Sequence, residues 1–166
     1  MSTQNNFSFP VTIVRPFNNY GPGMKLEDKR VPADFAKAIS ENKDIVIFSN
    51  GSPTRTFCYV ADALTGYLKA LVYEKFDYFN IGIDGQEITI DQLAQIYLNQ
   101  GRDIFGYTGT VRFESPEEKE YLSHNPQRRS PDISKARKLL DYQPKIGIEA
   151  GVRNFLTFIK LQKGKE

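Results

Sequence analysis

The chain contains no tryptophan, one cysteine and one histidine among its 166 residues. The lone Cys58 excludes an intrachain disulfide framework, and with His124 as the sole imidazole a Cys/His metal site has too few ligands. An excess of either charge is also lacking: 22 Lys and Arg stand against 20 Asp and Glu, a net of +2. That balance argues against a nucleic-acid surface, so any phosphate must be held by a few placed arginines. No apolar run approaches the ~18 residues a membrane helix needs. The opening MSTQNNFSFP has neither the basic start nor the apolar centre of a secretory signal. A cytoplasmic protein with no membrane or nucleic-acid partner and no metal is the default expectation.

What is present is ordinary for a globular domain: 40% hydrophobic and 25% charged residues, with an aromatic share made wholly of Phe and Tyr. The length suits one core and is short for two. The expected organisation is a poorly ordered start over 1–10, one α/β domain over 11–160, and a frayed tail over 161–166.

Hydrophobic periodicity supplies the elements. FPVTIVRPF reads as a buried strand ended by the turn Gly21-Pro22-Gly23. MKLEDKR is a charged loop, and Val31, Phe35, Ala38 and Ile39 recur at helical spacing. DIVIF predicts a strand over Ile45 to Phe48, RTFCYV another, and Leu64, Leu68, Leu71 and Val72 a helix face. DYFNIGI predicts a strand, and Thr89 with Gln92 has the form of a capping box. GTVRFE reads as a strand, SPEEKEYLSHNPQRRSP as loop, and Asp132 as a cap for ISKARKLLD. Ile148, Val152, Phe155 and Ile159 stripe the last helix. Alternating strands and helices predict parallel pairings. The apolar strands at Val11 to Val14 and Tyr78 to Ile83 have few partners here, as though they belong to a larger sheet covered on both faces.

Several polar residues invite a ligand. Asn18, directly after a buried strand, can donate to a phosphate or sugar oxygen, or it can simply make the turn before Gly21. Arg55, after a Gly-Ser-Pro turn, can fork onto a diphosphate, or pair with a surface carboxylate to little effect. Arg30 ends a charge run of the kind usually just solvated. Val46, Ile47 and Phe48 read as core strand. Cys58 reads as a small core residue rather than a nucleophile.

The segments RPFNNYGPGM, RVPADF, IFSNGSPTRTFCYVADAL, FNIG and RRSPDISKARKLLDYQPK follow one another in order. Together they resemble the C-terminal half of the extended short-chain dehydrogenases acting on nucleotide sugars, the NAD-dependent epimerase/dehydratase family, and above all its UDP-glucuronate decarboxylases. The resemblance runs from about Val11 to about Ile159. It implies an α/β fold comprising the C-terminal part of that family's fold and lacking most of its Rossmann sheet. It also implies NAD as cofactor and a nucleotide sugar, chiefly a UDP-sugar, as partner.

By that resemblance Asn18 touches the nucleotide diphosphate and Arg55 clamps it. Arg30 and the adjoining Val31 line the substrate pocket. Val46, Ile47 and Phe48 hold the base, while Pro16 and Phe17 lie near the nicotinamide. Arg129 lies against the sugar carboxylate and orients it for loss as carbon dioxide, and Tyr121 approaches the sugar. The register within QRRSPD leaves Arg128 as the alternative to Arg129. In such enzymes NAD oxidises the 4-hydroxyl with a tyrosine as base, and the resulting ketone eases decarboxylation or proton loss. No strand here runs into Gly-x-x-Gly-x-x-Gly, and no tyrosine is followed by lysine four residues on. The expectation is therefore a substrate-side half, inactive alone, completed by a separate NAD-binding half or a homo-oligomer. A 4-epimerase or 4,6-dehydratase half, and a non-catalytic nucleotide-sugar-binding module, are the competing readings.

Overall fold

The computed structural model describes residues 10–114 and 126–164. Strand β1 (Thr12–Pro16) lies parallel to β6 (Asp77–Ile81) with Thr12 opposite Asp77 and Pro16 opposite Ile81. Among the described residues these two strands have only each other as neighbours. The first strand, expected to be buried, has no buried residue, and β6 is buried on one face alone. Phe79 and Ile81 are buried beneath α2 (Val60–Leu71) and α4 (Ser134–Leu140), whereas Ile13 and Tyr78, on the other face, are about half exposed.

The larger core lies elsewhere. Helices α1 (Val31–Ser40), α3 (Ile90–Phe105) and α5 (Ile148–Lys163) pack Phe35, Ile39, Leu93, Tyr97, Phe155 and Leu156 together. The α3 start has the expected chemistry: Thr89 Oγ1 accepts the Gln92 N–H at 3.0 Å, and Gln92 Oε1 accepts the Thr89 N–H at 2.8 Å. Asp132 stands one residue before the N-cap position, Ile133, and accepts the Ser134 N–H at 2.8 Å from outside the helix. The last helix continues through Lys163 instead of fraying from residue 161. The Gly164 N–H returns to the Lys160 carbonyl at 3.2 Å, and the Lys163 ammonium reaches the Ser40 carbonyl at 2.5 Å.

Short strands differ most from the sequence expectation. RTFCYV forms two separate pieces, β4 (Thr54–Arg55) and β5 (Cys58–Tyr59). Asn18 causes the break: its side-chain amide donates to the Thr56 carbonyl at 2.8 Å, and its own carbonyl accepts the Cys58 N–H at 3.2 Å. Strand β5 then pairs with β2 (Asn19–Tyr20), and β4 joins a different sheet. That sheet is β7 (Ile88–Thr89), β4 and β9 (Arg128–Arg129), in that order, so part of the expected loop after residue 114 is a strand. Strand β3 (Ile45–Ile47) runs parallel to β8 (Val111–Phe113). Cys58 is fully buried.

Candidate functional site

Five segments separated in sequence meet around one cavity of about 240 Å³. Its lining includes Asn18 after β1, Arg30 and Val31 at the start of α1, and Val46, Ile47 and Phe48 at the end of β3. Arg55 of β4 and Arg129 of β9 complete the polar side. These two strands run parallel with Arg55 opposite Arg129 and Thr54 opposite Arg128. Side chains alternate across a strand, so the register sends Arg55 and Arg129 to the cavity and Arg128 away from it. Arg128 pairs instead with Glu87, its Nε donating to Oε2 at 2.8 Å.

The arginines differ in how far they are committed. Arg55 is only 6% exposed. Its Nη1 donates to the Thr54 carbonyl at 2.7 Å and to the Gln127 carbonyl at 3.3 Å. Arg30 is held by Asp28, with Nε on Oδ1 at 2.5 Å and Nη2 on Oδ2 at 2.9 Å, while Nη1 donates to the Asn19 carbonyl at 3.3 Å. That occupies the side edge of the guanidinium and leaves the terminal edge with one N–H on each Nη. The hydrogen bond from Arg30 holds the Asp28 carboxyl below its usual range. The Arg129 side chain forms no hydrogen bond or ion pair among the described residues. Lys29 in the same wall likewise has no ion pair among the described residues. Asn18 lines the cavity from a bend, with φ at 45°, and the strand Asn19–Tyr20 follows it in place of the expected turn.

Other candidates fall elsewhere. Pro16 lines a second, more open cavity of about 440 Å³, with Asn18, Asn19, Gly21 and Tyr67 among its neighbours. Phe17 lines neither; its N–H donates to the Ile81 carbonyl at 2.9 Å, and it packs against Gly82, where an added Cβ would meet Phe17 Cβ at 2.9 Å. Tyr121 lies outside the described residues. The first cavity also uses Lys29, Asp34, Phe57 and Ile90, which no sequence signal singles out. Burial raises the Asp34 carboxyl above its ordinary value.

Lys29 carries a backbone cost. Its φ of 61° is left-handed, without the short polar side chain that eases this for Asn and Asp. Left-handed geometry costs ~1–2 kcal/mol for such a residue, and glycine gives back ~0.5–1 of that as unfolded-state entropy. Lys29→Gly is therefore expected to stabilise the fold by about 0.5–1 kcal/mol in urea melts. A loss of stability would mean that the Lys29 side chain contributes more than its backbone costs.

The described residues do not form a dinucleotide cradle. A pyrophosphate held by backbone amides needs a glycine-rich strand-to-helix turn. The glycines near β1, Gly21 and Gly23, lead instead into turns and bends before α1. Among the described residues no cluster of His, Cys, Asp and Glu could hold a metal ion, and no helix is long and apolar enough to cross a membrane.

The family profile described as the NAD dependent epimerase/dehydratase family matches residues 2–82. UDP-glucuronic acid decarboxylase 1 of Arabidopsis thaliana is 32% identical over 147 residues, covering 89% of this chain and 32% of that protein. The Xenopus tropicalis protein of the same name is 29% identical over 150 residues, 90% of this chain and 33% of its own. Among solved structures, UDP-glucuronic acid 4-epimerase from Bacillus cereus, in complex with UDP-glucuronic acid and NAD, superposes with a TM-score of 0.76 at 28% identity. It covers 96% of this chain and 48% of that one. UDP-glucose 4-epimerase from Thermotoga maritima shares the fold, with a TM-score of 0.81 at 24% identity over 96% of this chain and 49% of that one. The chain thus spans about a third of the length of the curated relatives and about half that of the solved ones.

Proposed function

Because the chain belongs to the NAD-dependent epimerase/dehydratase family, we propose that it is the nucleotide-sugar-binding part of an enzyme acting on UDP-glucuronate, by decarboxylation. The carrying observation is the shared cavity of Asn18, Arg30, Arg55 and Arg129. Arg55 and Arg30 supply fixed charge-assisted donors for the diphosphate. Asn18 adds its amide. Val46, Ile47 and the half-exposed Phe48 offer the base an apolar wall and a ring face. Arg129, uncompensated within the described residues, suits the sugar carboxylate. The decarboxylase relatives are named for UDP-glucuronic acid, and the Bacillus cereus epimerase was solved with that molecule bound.

These residues orient and charge a substrate. They offer no dinucleotide cradle and no Tyr-x-x-x-Lys pair, so the chain on its own is expected to bind without turning over. A base and a cofactor site would come from residues beyond these 166, in the same polypeptide or in a partner. The likeness to a UDP-glucuronic acid 4-epimerase favours a second reading, in which the carboxylate is bound and retained.

Titration calorimetry of the chain with UDP-glucuronate and UDP-glucose tests the assignment. Arg129→Ala should weaken UDP-glucuronate about tenfold more than UDP-glucose, the scale of one hydrogen bond to a charged group. Equal losses for both ligands would remove the acid-specific role and favour a neutral-sugar epimerase or dehydratase. No saturable heat with either, or with UDP, would leave only the fold. Product analysis with the complete enzyme separates decarboxylation from epimerisation.

A further inference from the structure

The first cavity is lined by four cationic side chains, Lys29, Arg30, Arg55 and Arg129, and among the described residues by one carboxylate, Asp34. A carboxylate in such a wall repels a diphosphate, so its place is beside a part of the ligand that donates hydrogen bonds. Helix α1 sets that place. Asp34 follows Arg30 by four residues and Val31 by three, which puts it one turn further along the same helix face. The side chain is partly open to solvent. Burial nevertheless raises its carboxyl, against the pull of Lys37 and Lys29. Among the described residues it forms no hydrogen bond or ion pair. An acid in the first turn also suits the helix dipole, but that interaction needs no cavity in front of it.

We propose that Asp34 is a specificity-determining residue that accepts hydrogen bonds from the ribose 2′- and 3′-hydroxyls of the nucleotide. The assignment rests on the nucleotide-sugar reading for what fills the cavity. With Arg30 on the diphosphate and Val46 to Phe48 against the base, the ribose is the part of the ligand that lies between them. Two vicinal hydroxyls offer two adjacent donors, and an ionised carboxylate is an acceptor at both oxygens. Carboxylates take ribose hydroxyls in the same way in dinucleotide-binding folds. The other donor of a uracil nucleotide, the base N3–H, stands between two carbonyl oxygens, which a carboxylate would repel.

The test is calorimetry of the full chain with UDP, 2′-deoxy-UDP and 3′-deoxy-UDP. The parent should bind each deoxy analogue about tenfold more weakly than UDP, the scale of one hydrogen bond to a charged group. Asp34→Ala should bind all three within about twofold of one another. Deleting the charge also relieves its repulsion of the diphosphate, but that changes the three affinities alike, so the ratio between them is the readout. An Asp34 that serves only the helix dipole leaves the parent's ratio intact in Asp34→Ala, which overturns the proposal. A parent that binds UDP and both deoxy analogues equally overturns it too, while leaving the nucleotide-sugar reading in place. No saturable heat from the parent with any of the three rejects that reading, and the ribose contact with it.

Discussion

On the proposed nucleotide-sugar reading, replacing Arg55 by alanine is expected to weaken UDP binding about 100-fold and to lower thermal stability as well. Both effects follow from one side chain. The guanidinium is almost wholly buried, yet it fastens two backbone carbonyls, at Thr54 and Gln127, on adjacent strands. Removing it takes away charge-assisted donors worth ~1.5–3 kcal/mol each and leaves buried acceptors to be resatisfied. Arg55→Lys should recover little, because a point ammonium cannot span the same acceptors as a planar fork. Calorimetry and a thermal melt of both variants check this. Binding of UDP by Arg55→Ala within about threefold of the parent would remove Arg55 from the phosphate site.

Gly151→Ala is expected to destabilise the fold by about 1–3 kcal/mol, the range for overpacking a tight core. The residue lies in helix α5, where alanine ordinarily gains ~0.5–1 kcal/mol over glycine. Here the added Cβ would run into the Tyr20 hydroxyl, with Tyr20 Cζ at 3.0 Å and Tyr59 Cδ2 at 3.2 Å. The Tyr20 ring has nowhere to go: Phe57, Tyr59 and Phe155 surround it edge-on, with centroids at 6.4, 5.8 and 6.4 Å. Tyr20→Phe removes the colliding oxygen and gives up only a long hydrogen bond of 3.3 Å to the Ile148 carbonyl. The double variant Gly151→Ala/Tyr20→Phe should therefore regain most of the loss in urea melts. If it stays as unstable as Gly151→Ala alone, the obstruction lies elsewhere than in that hydroxyl.

The long helices were legible because their information is local. Val31, Phe35 and Ile39 mark α1 by spacing alone, and Thr89 with Gln92 marks the start of α3 by hydrogen-bond chemistry between near neighbours. The two-residue strands were not legible, because distant partners define them. Arg55 and Cys58 look like one strand until Asn18, from far upstream, claims the carbonyl between them. The choice between Arg128 and Arg129 was open for the same reason: only the pairing with Thr54 and Arg55 assigns faces. Asp28 was hidden inside a charge run, where nothing in composition separates a carboxylate that holds Arg30 from a solvated one. Glu87 carried no motif at all. The strand before Asn18 was visible, and so was the core fate of Cys58, since each followed from immediate neighbours.

Because the cavity wall is assembled from strands and loops brought in from opposite ends of the polypeptide, its occupant would act as a crosslink. A ligand gripping Asn18, Arg55 and Arg129 at once joins pieces that separate on unfolding. By mass action, a nucleotide at about 100 times its dissociation constant adds about 2.7 kcal/mol to the folded state. Melting temperature then becomes a readout of occupancy, and on the proposed reading protease susceptibility should fall as nucleotide sugar is added.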